Sequence, residues 1–371
     1  MQGFPWGGSE ELWCKVANKA LEEKNLVIVS AKQWGTVHPK LQQLIDKGAS
    51  FRWRKQPAPS LASRLVTSVT VRLGKEPTLK NWDWIAAEKP DVLCINMGGP
   101  YEVISYPGLS EFLLANQIPY CLIQQFNLEN LVLSNKAREL SKKVFLKAKK
   151  VFFVSDRNRA TTERNLVTRL DNAATVSNPA NLTDHVPPPF PHIANGYCFA
   201  SVARLDAMYK GQDKLLEVLS AGKWISRDWK LNFYGSGPDA EYLKELVCFY
   251  KLTNKVYLPG SVNDIKDIWC KNHLLIMPSL AEGTPLALIE AMLCARPSVV
   301  TDVGGNAALV DNNVNGFIAA HASVPILDEA MERAWQKRES WKMMGENARE
   351  AVLRKINLSS YADVYHEICS V

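Results

Sequence analysis

The chain has no C-x-x-C pair: its eight cysteines stand scattered at 14, 94, 121, 198, 248, 270, 294 and 369. That spacing supplies neither a zinc motif nor a disulfide framework, and a reducing compartment is the expectation. No apolar run approaches the ~18 residues of a membrane span, and no signal-peptide pattern opens the sequence, so a cytoplasmic protein is expected. No D-x-D occurs, which removes the commonest carboxylate pair for a divalent cation and leads us to expect no metal site. No G-x-G-x-x-G follows a strand with an acidic residue ~20 positions on, which argues against a plain dinucleotide-binding dehydrogenase.

What is present is alternation. At 371 residues and 47% hydrophobic content, two domains with ordinary cores are expected. Short apolar runs at Leu26–Ser30, Phe51–Trp53, Asp91–Asn96, Pro119–Gln124 and Val151–Ser155 read as strands. Helical patterns at 39–47, 60–73, 78–88 and 135–150 fall between them. Strands alternating with helices predict a parallel α/β sheet, whose ligands sit beyond the carboxyl ends of its strands. Residues 177–196 carry five prolines (179, 187, 188, 189 and 191), a composition hostile to helix or central strand. We therefore expect domains at 1–180 and 197–355, a hinge at 181–196, and a final helix at 356–371 that returns to the first domain.

The formal charge of +6 is placed unevenly. Lys136, Arg138, Lys142, Lys143, Lys147, Lys149 and Lys150 stand against Glu139 alone in a segment of helical spacing. The plain reading is a solvated helix face; the sharper one is adhesion to anionic lipid. Without an aromatic-basic motif, nucleic acid is not expected.

Two stretches carry the chemistry. From His273 to Gly305 the order is strand, loop, helix, strand: Leu274–Met277, a loop with Glu282 and Gly283, a helix holding Leu286, Ile289, Glu290 and Leu293, then Ser298–Thr301. Thr284-Pro285 reads as N-cap plus first-turn proline. A helix N-terminus offers unpaired N–H groups to a phosphate, and a loop glycine admits close backbone approach. The second stretch is Tyr197–Val202, a strand, followed by Arg204-Leu205 and, six residues after Arg204, Lys210-Gly211. Long cations at a strand end and at the next helix can converge on one anion. Near the amino end, Gly7-Gly8 forms a loop that runs into a helix, with Ser9 as its expected cap.

These residues resemble the retaining glycosyltransferases of family 4. Glu282 and Glu290 form the family's E-x7-E pattern within a P-S-x-x-E-G-x-P-L context, and Arg204, Leu205, Lys210 and Gly211 match its diphosphate-binding cations. The resemblance extends from Phe4 to about Phe317. It implies the GT-B fold: two Rossmann-like domains facing each other across a cleft, polysaccharide or lipid glycosylation, and no metal or other cofactor. It also implies that Arg204, Lys210 and the backbone at Gly283, Thr284, Pro285 and Leu286 hold the diphosphate. Glu290 would then hold the ribose, Glu282 the donor sugar, and the Gly235 turn and the Gly7-Gly8 loop would border the donor. The family's Gly-Gly loop follows a first strand, and none precedes Gly7 here, so the first strand of the amino-terminal sheet is expected to be absent.

Two departures stand out. Gln124, Gln125 and Asn127 occupy a strand end where many members carry histidine, and Ala308 stands where many carry glutamate. The expected function is sugar transfer from a nucleoside-diphosphate sugar to a hydroxyl of a glycan, lipid or small molecule, with the basic helix touching an anionic membrane face. An inactive nucleotide-binding partner subunit and a GT-B epimerase or hydrolase remain open alternatives.

Overall fold

The computed structural model describes residues 6–32, 36–54, 82–182, 186–193 and 196–370. They form two compact units, one ending at Asn178 and resumed from Ser359, the other Pro179–Leu358. The proline-rich stretch, expected to stand apart as a hinge, is thus counted within the second unit. The helical pattern expected at 60–73 lies outside the described residues, as does the start of the one expected from 78. Its end appears as the helix Asp83–Glu88.

In the first unit the strands are β1 (Ile28–Lys32), β2 (Ser50–Arg54), β3 (Leu93–Met97), β4 (Tyr120–Gln124), β5 (Lys150–Phe153) and β6 (Ala173–Thr175). All described pairings are parallel, β1 with β2 and, in a separate sheet, β3-β4-β5-β6. No described strand joins these two sheets. All five residues of β4 are buried, as a near-continuous apolar run predicts for a strand covered on both faces. One face packs Leu122, Val151 and Phe153 against Val144, Phe145 and Leu166 from the helices Asn135–Lys147 and Asp156–Leu166. The other packs Cys121, Ile123 and Phe152 against Leu12 and Val16 of the helix Gly8–Glu22 and Val364 and Ile368 of the helix Ser360–Cys369.

The second unit holds β7 (Tyr197–Val202), β8 (Trp229–Tyr234), β9 (Val256–Gly260), β10 (Leu274–Met277), β11 (Ser298–Thr301) and β12 (Phe317–Ala319). Their order is β12-β11-β10-β7-β8-β9, with every described pairing parallel. The order reverses between β7 and β10, and the crevice outside the carboxyl ends of two such strands is where open α/β sheets bind ligands.

The place of the proline-rich segment has a physical reason. Proline donates no hydrogen bond, but its carbonyl still needs a donor once buried. Arg296, 1% exposed, donates to Pro189 O at 2.6 Å as well as to Trp269 O at 2.6 Å and Asn272 O at 3.0 Å. Its guanidinium also lies 5.1 Å from the centre of the Phe190 ring. Burial among carbonyls pushes its pKa down to about 10.

Candidate functional site

The segment after β7 is fastened to the turn after β8. Ala203 N donates to Tyr234 O at 3.1 Å, Leu205 N to Ser236 O at 3.0 Å, and Asp239 N to Leu205 O at 3.1 Å. Asp239 then turns its carboxylate to Ala207 N at 2.8 Å. This fit requires bare backbone: a Cβ at Gly237 would stand 2.2 Å from Leu205 O. The Arg204 guanidinium pairs with Asp206, a 6%-exposed carboxylate. The backbone carbonyl of Asp206 receives Lys210 N at 2.8 Å. One residue therefore holds one cation by its side chain and the next by its main chain.

The loop after β10 meets this segment. Leu280 N donates to Tyr209 O at 2.9 Å. Lys210 Nζ lies 2.7 Å from Glu282 Oε1, and the Ser279 hydroxyl donates to the same oxygen at 2.7 Å. Thr301 Oγ1 fixes Ser279 by donating to its carbonyl at 2.6 Å. From β11, Gly305 N donates to Gly283 O at 2.9 Å, and a Cβ at Gly304 would stand 2.3 Å from Glu282 O.

The helix that follows spans Leu286–Leu293, with Pro285 as N-cap and no capping side chain. This corrects the reading of Thr284 as cap: Pro285 is still extended at φ −77° and ψ 98°, so the helix opens two residues after Thr284. The first-turn N–H groups consequently face no cap from their own side chains. Glu290 lies in the second turn, 7% exposed, and accepts from Asn181 N at 3.3 Å.

Of the expected site residues, Arg204, Lys210, Gly235, Glu282, Gly283, Thr284, Pro285, Leu286 and Glu290 therefore lie in the second unit. Gly7 and Gly8 lie in the first. There Gly7 is the N-cap and Gly8 opens the helix, so Ser9, expected as cap, is its second residue instead. Glu10 takes the capping role from inside: its Oε2 accepts Gly7 N at 2.8 Å and the Ser9 hydroxyl at 2.7 Å. Burial pushes the Glu10 carboxyl up to about 7, against the lowering hydrogen bond from Ser9. Glu102 does the same for a second glycine loop, accepting Gly98 N at 2.8 Å and Gly99 N at 3.2 Å. Asp206, Asp239, Ser279, Glu10 and Glu102 escaped the sequence reading. The only signal was local, a carboxylate or hydroxyl within four residues of a glycine turn or a cation.

Residues 188–351 match the family model of the glycosyl transferases group 1. All of them belong to the second unit, which carries both cations and both glutamates of the site. An uncharacterized glycosyltransferase of Haemophilus influenzae is 29% identical over 142 residues, 38% of this chain and 40% of that protein. The UDP-Gal:alpha-D-GlcNAc-diphosphoundecaprenol alpha-1,3-galactosyltransferase of Escherichia coli is 29% identical over 129 residues, 34% of this chain and 33% of that protein. The chain thus spans well under two thirds of these relatives. Among solved structures, HepE of Anabaena in complex with UDP superposes with a TM-score of 0.72 at 17% identity, covering 100% of this chain and 98% of that one. Sucrose-phosphate synthase of Thermosynechococcus elongatus gives 0.71 at 15% identity, covering 96% and 92%. The fold is GT-B, built of two Rossmann-like domains.

Among the described residues no group of three or more His, Cys, Asp or Glu side chains is arranged to hold a metal ion. No described helix is long and apolar enough to cross a membrane.

Proposed function

We propose that the protein is a retaining glycosyltransferase of family 4 that moves a sugar, of hexosyl type, from a nucleoside-diphosphate sugar to an acceptor hydroxyl without a metal. The observation that supports this most is the convergence of Lys210, Ser279 and Glu282 at the ends of β7 and β10, inside the group 1 glycosyl transferase match. Cleaving the donor leaves a diphosphate whose growing charge must be stabilised, and Arg204, Lys210 and the first turn of the helix Leu286–Leu293 supply that stabilisation. Glu290 takes the ribose hydroxyls and Glu282 those of the donor sugar. Glu282 is engaged by Lys210 and Ser279 rather than assigned as a covalent nucleophile; following the family it resembles, the acceptor attacks from the face the diphosphate leaves, and the departing phosphate helps take its proton. HepE was solved with UDP, which makes uridine the first base to test.

The acceptor is a glycan, a lipid or a small molecule. For a lipid acceptor, the helix Asn135–Lys147 offers a peripheral contact with an anionic surface. Lys147 is occupied, donating to the carbonyls of Leu113, Leu114 and Asn116, and Lys150 pairs with Glu367. Lys136, Lys143 and Lys149 remain exposed beside exposed Val132 and Leu146.

The test is calorimetric titration of UDP, GDP and ADP with EDTA present, on the wild type and Arg204→Ala. One nucleotide binding without metal, and weakened at least tenfold in the variant, is the expected result; no binding to any of the three would sink the reading. The inactive-subunit alternative draws on Gln124, whose amide replaces an expected histidine. It predicts nucleotide binding with no consumption of the sugar donor.

A further inference from the structure

Two aspartates of the second unit open helices, and neither caps its own. Asp206 is the N-cap of the helix Ala207–Lys210, and Asp239 is the N-cap of the helix Ala240–Phe249. Aspartate at that position ordinarily turns its carboxylate onto an N–H of its own first turn. Neither side chain does so here. The Asp239 carboxylate accepts instead from Ala207 N at 2.8 Å, the first N–H of the other helix. The Asp206 carboxylate, at the head of that same helix, pairs with the Arg204 guanidinium.

The exchange follows from how the two loops are pressed together. Asp239 N donates to Leu205 O at 3.1 Å, and Gly237 lies so close to the same carbonyl that no side-chain carbon fits there. This main-chain bond carries the Asp239 side chain over Ala207, two residues past Leu205. A helix start attracts one carboxylate, through its open N–H groups and its positive end. With Asp239 in that place, a second carboxylate gains little by turning inward and is repelled by the first. Asp206, 6% exposed, is thereby left for the guanidinium.

We infer that Asp239 is a positioning residue for Arg204, acting through Asp206: by capping the helix Ala207–Lys210 from the neighbouring loop, it leaves the Asp206 carboxylate to hold the cation in place. The inference rests on the transferase reading for the anion that Arg204 meets, the diphosphate of the donor. Without Asp239, the open turn becomes the nearest set of donors for Asp206, and the carboxylate returns to its own helix.

The relay is tested with phenylglyoxal, whose rate of reaction with Arg204 is read by peptide mass spectrometry on the full chain without nucleotide. Arg227, held by both oxygens of Glu332, is the internal control. Asp239→Ala is expected to raise the Arg204 rate about threefold or more, and Asp239→Asn, which keeps an accepting oxygen, less than about twofold. In an Asp206→Ala background, Asp239→Ala is expected to add nothing, because the carboxylate it redirects is gone. UDP affinity, measured by calorimetry, should follow the same pattern. It should fall about fivefold or more in Asp239→Ala, be largely restored in Asp239→Asn, and fall no further in the double variant than in Asp206→Ala. Where melting temperature shows Asp239→Ala unfolded, Asp239→Ser decides, since its shorter side chain still suits the head of the helix Ala240–Phe249.

An Arg204 rate that does not move in the folded variant, or that rises together with that of Arg227, would overturn the inference. So would unchanged UDP affinity, or an equal loss of it in both backgrounds, which is the mark of a structural clamp. Failure of the wild type to bind UDP, GDP or ADP, while Arg204 reactivity follows the variants, leaves the relay standing and removes the transferase reading.

Discussion

Lys210 Nζ and Glu282 Oε1 lie 2.7 Å apart, joining the loops that follow two neighbouring strands of the second sheet. Glu282 is 7% exposed and Lys210 about a quarter exposed. The carboxylate thereby occupies a cation that the proposed donor diphosphate also needs. Glu282→Gln is expected to keep UDP binding, or tighten it a few-fold, while weakening binding of the intact UDP-sugar at least tenfold. Lys210→Ala is expected to weaken both ligands tenfold or more and to leave Glu282 with the Ser279 hydroxyl, at a stability cost of roughly 1–3 kcal/mol. Calorimetry with UDP and UDP-glucose and urea unfolding check each outcome. Equal loss of both ligands in Glu282→Gln would contradict the assignment of Glu282 to the sugar.

Asp206 acts through Arg204. In Asp206→Asn the guanidinium loses this carboxylate, and UDP affinity is expected to fall about tenfold, with no further change when the same substitution is made in an Arg204→Ala background. That double-mutant cycle separates positioning from general damage, which would add in both backgrounds. Tighter UDP binding in Asp206→Asn would instead mean that Asp206 competes with the ligand for Arg204.

Two buried groups give the units opposite pH dependence. His273 is fully buried, its Nδ1 accepts Cys198 N at 2.9 Å, and burial pushes its pKa down to about 4. Between its ordinary 6.5 and 4 the unfolded chain binds a proton that the folded unit refuses, so stability falls as pH drops through that window, by at most ~1.4 kcal/mol per pH unit. Glu10, raised from 4.5 to about 7, behaves in reverse: its contribution is complete below 4.5 and is lost as pH rises to 7. Hydrogen exchange at several pH values should show β10 weakening towards acid and the helix Gly8–Glu22 weakening towards neutrality. His273→Phe and Glu10→Gln should each flatten one slope and leave the other.

The exposed lysines of the helix Asn135–Lys147 and its flank should bind vesicles containing anionic lipid, each worth about 1 kcal/mol near the surface. Replacing Lys136, Lys143 and Lys149 by Gln is expected to lower vesicle binding by tenfold or more, and raised salt should do the same to the wild type. Binding insensitive to both would dismiss the membrane contact.

Strand and helix alternation was legible because a parallel sheet buried on both faces writes itself as short apolar runs, as β4 and β10 show. The neighbourhood of Glu282 was legible for a related reason: loop, proline and periodic apolar residues are all local signals. Element ends were less so. The Leu26–Ser30 run became Ile28–Lys32, leaving Leu26 fully exposed, because pairing with Ser50–Arg54 sets the register and not the apolar count. Thr284 failed as a cap since the proline after it remains extended. Asp206, Ser279 and Glu102 were invisible, because their partners are chosen by tertiary contact: a carboxylate in a loop gives no sign of which backbone or cation it will meet. The proline-rich stretch showed why helix and sheet were excluded there. It did not show Arg296, a hundred residues on, holding its carbonyls.

The close fit at Gly237 and Gly304 also decides where this site can be redesigned. Each presses its backbone against a carbonyl of the neighbouring loop, within 2.2 Å and 2.3 Å of any added carbon, so libraries that vary these turns should return unfolded chains rather than new selectivities. Ala308, in the short helix after Gly305, is exposed and free of that constraint. New donor preferences should be sought at that position, with the glycine framework held fixed.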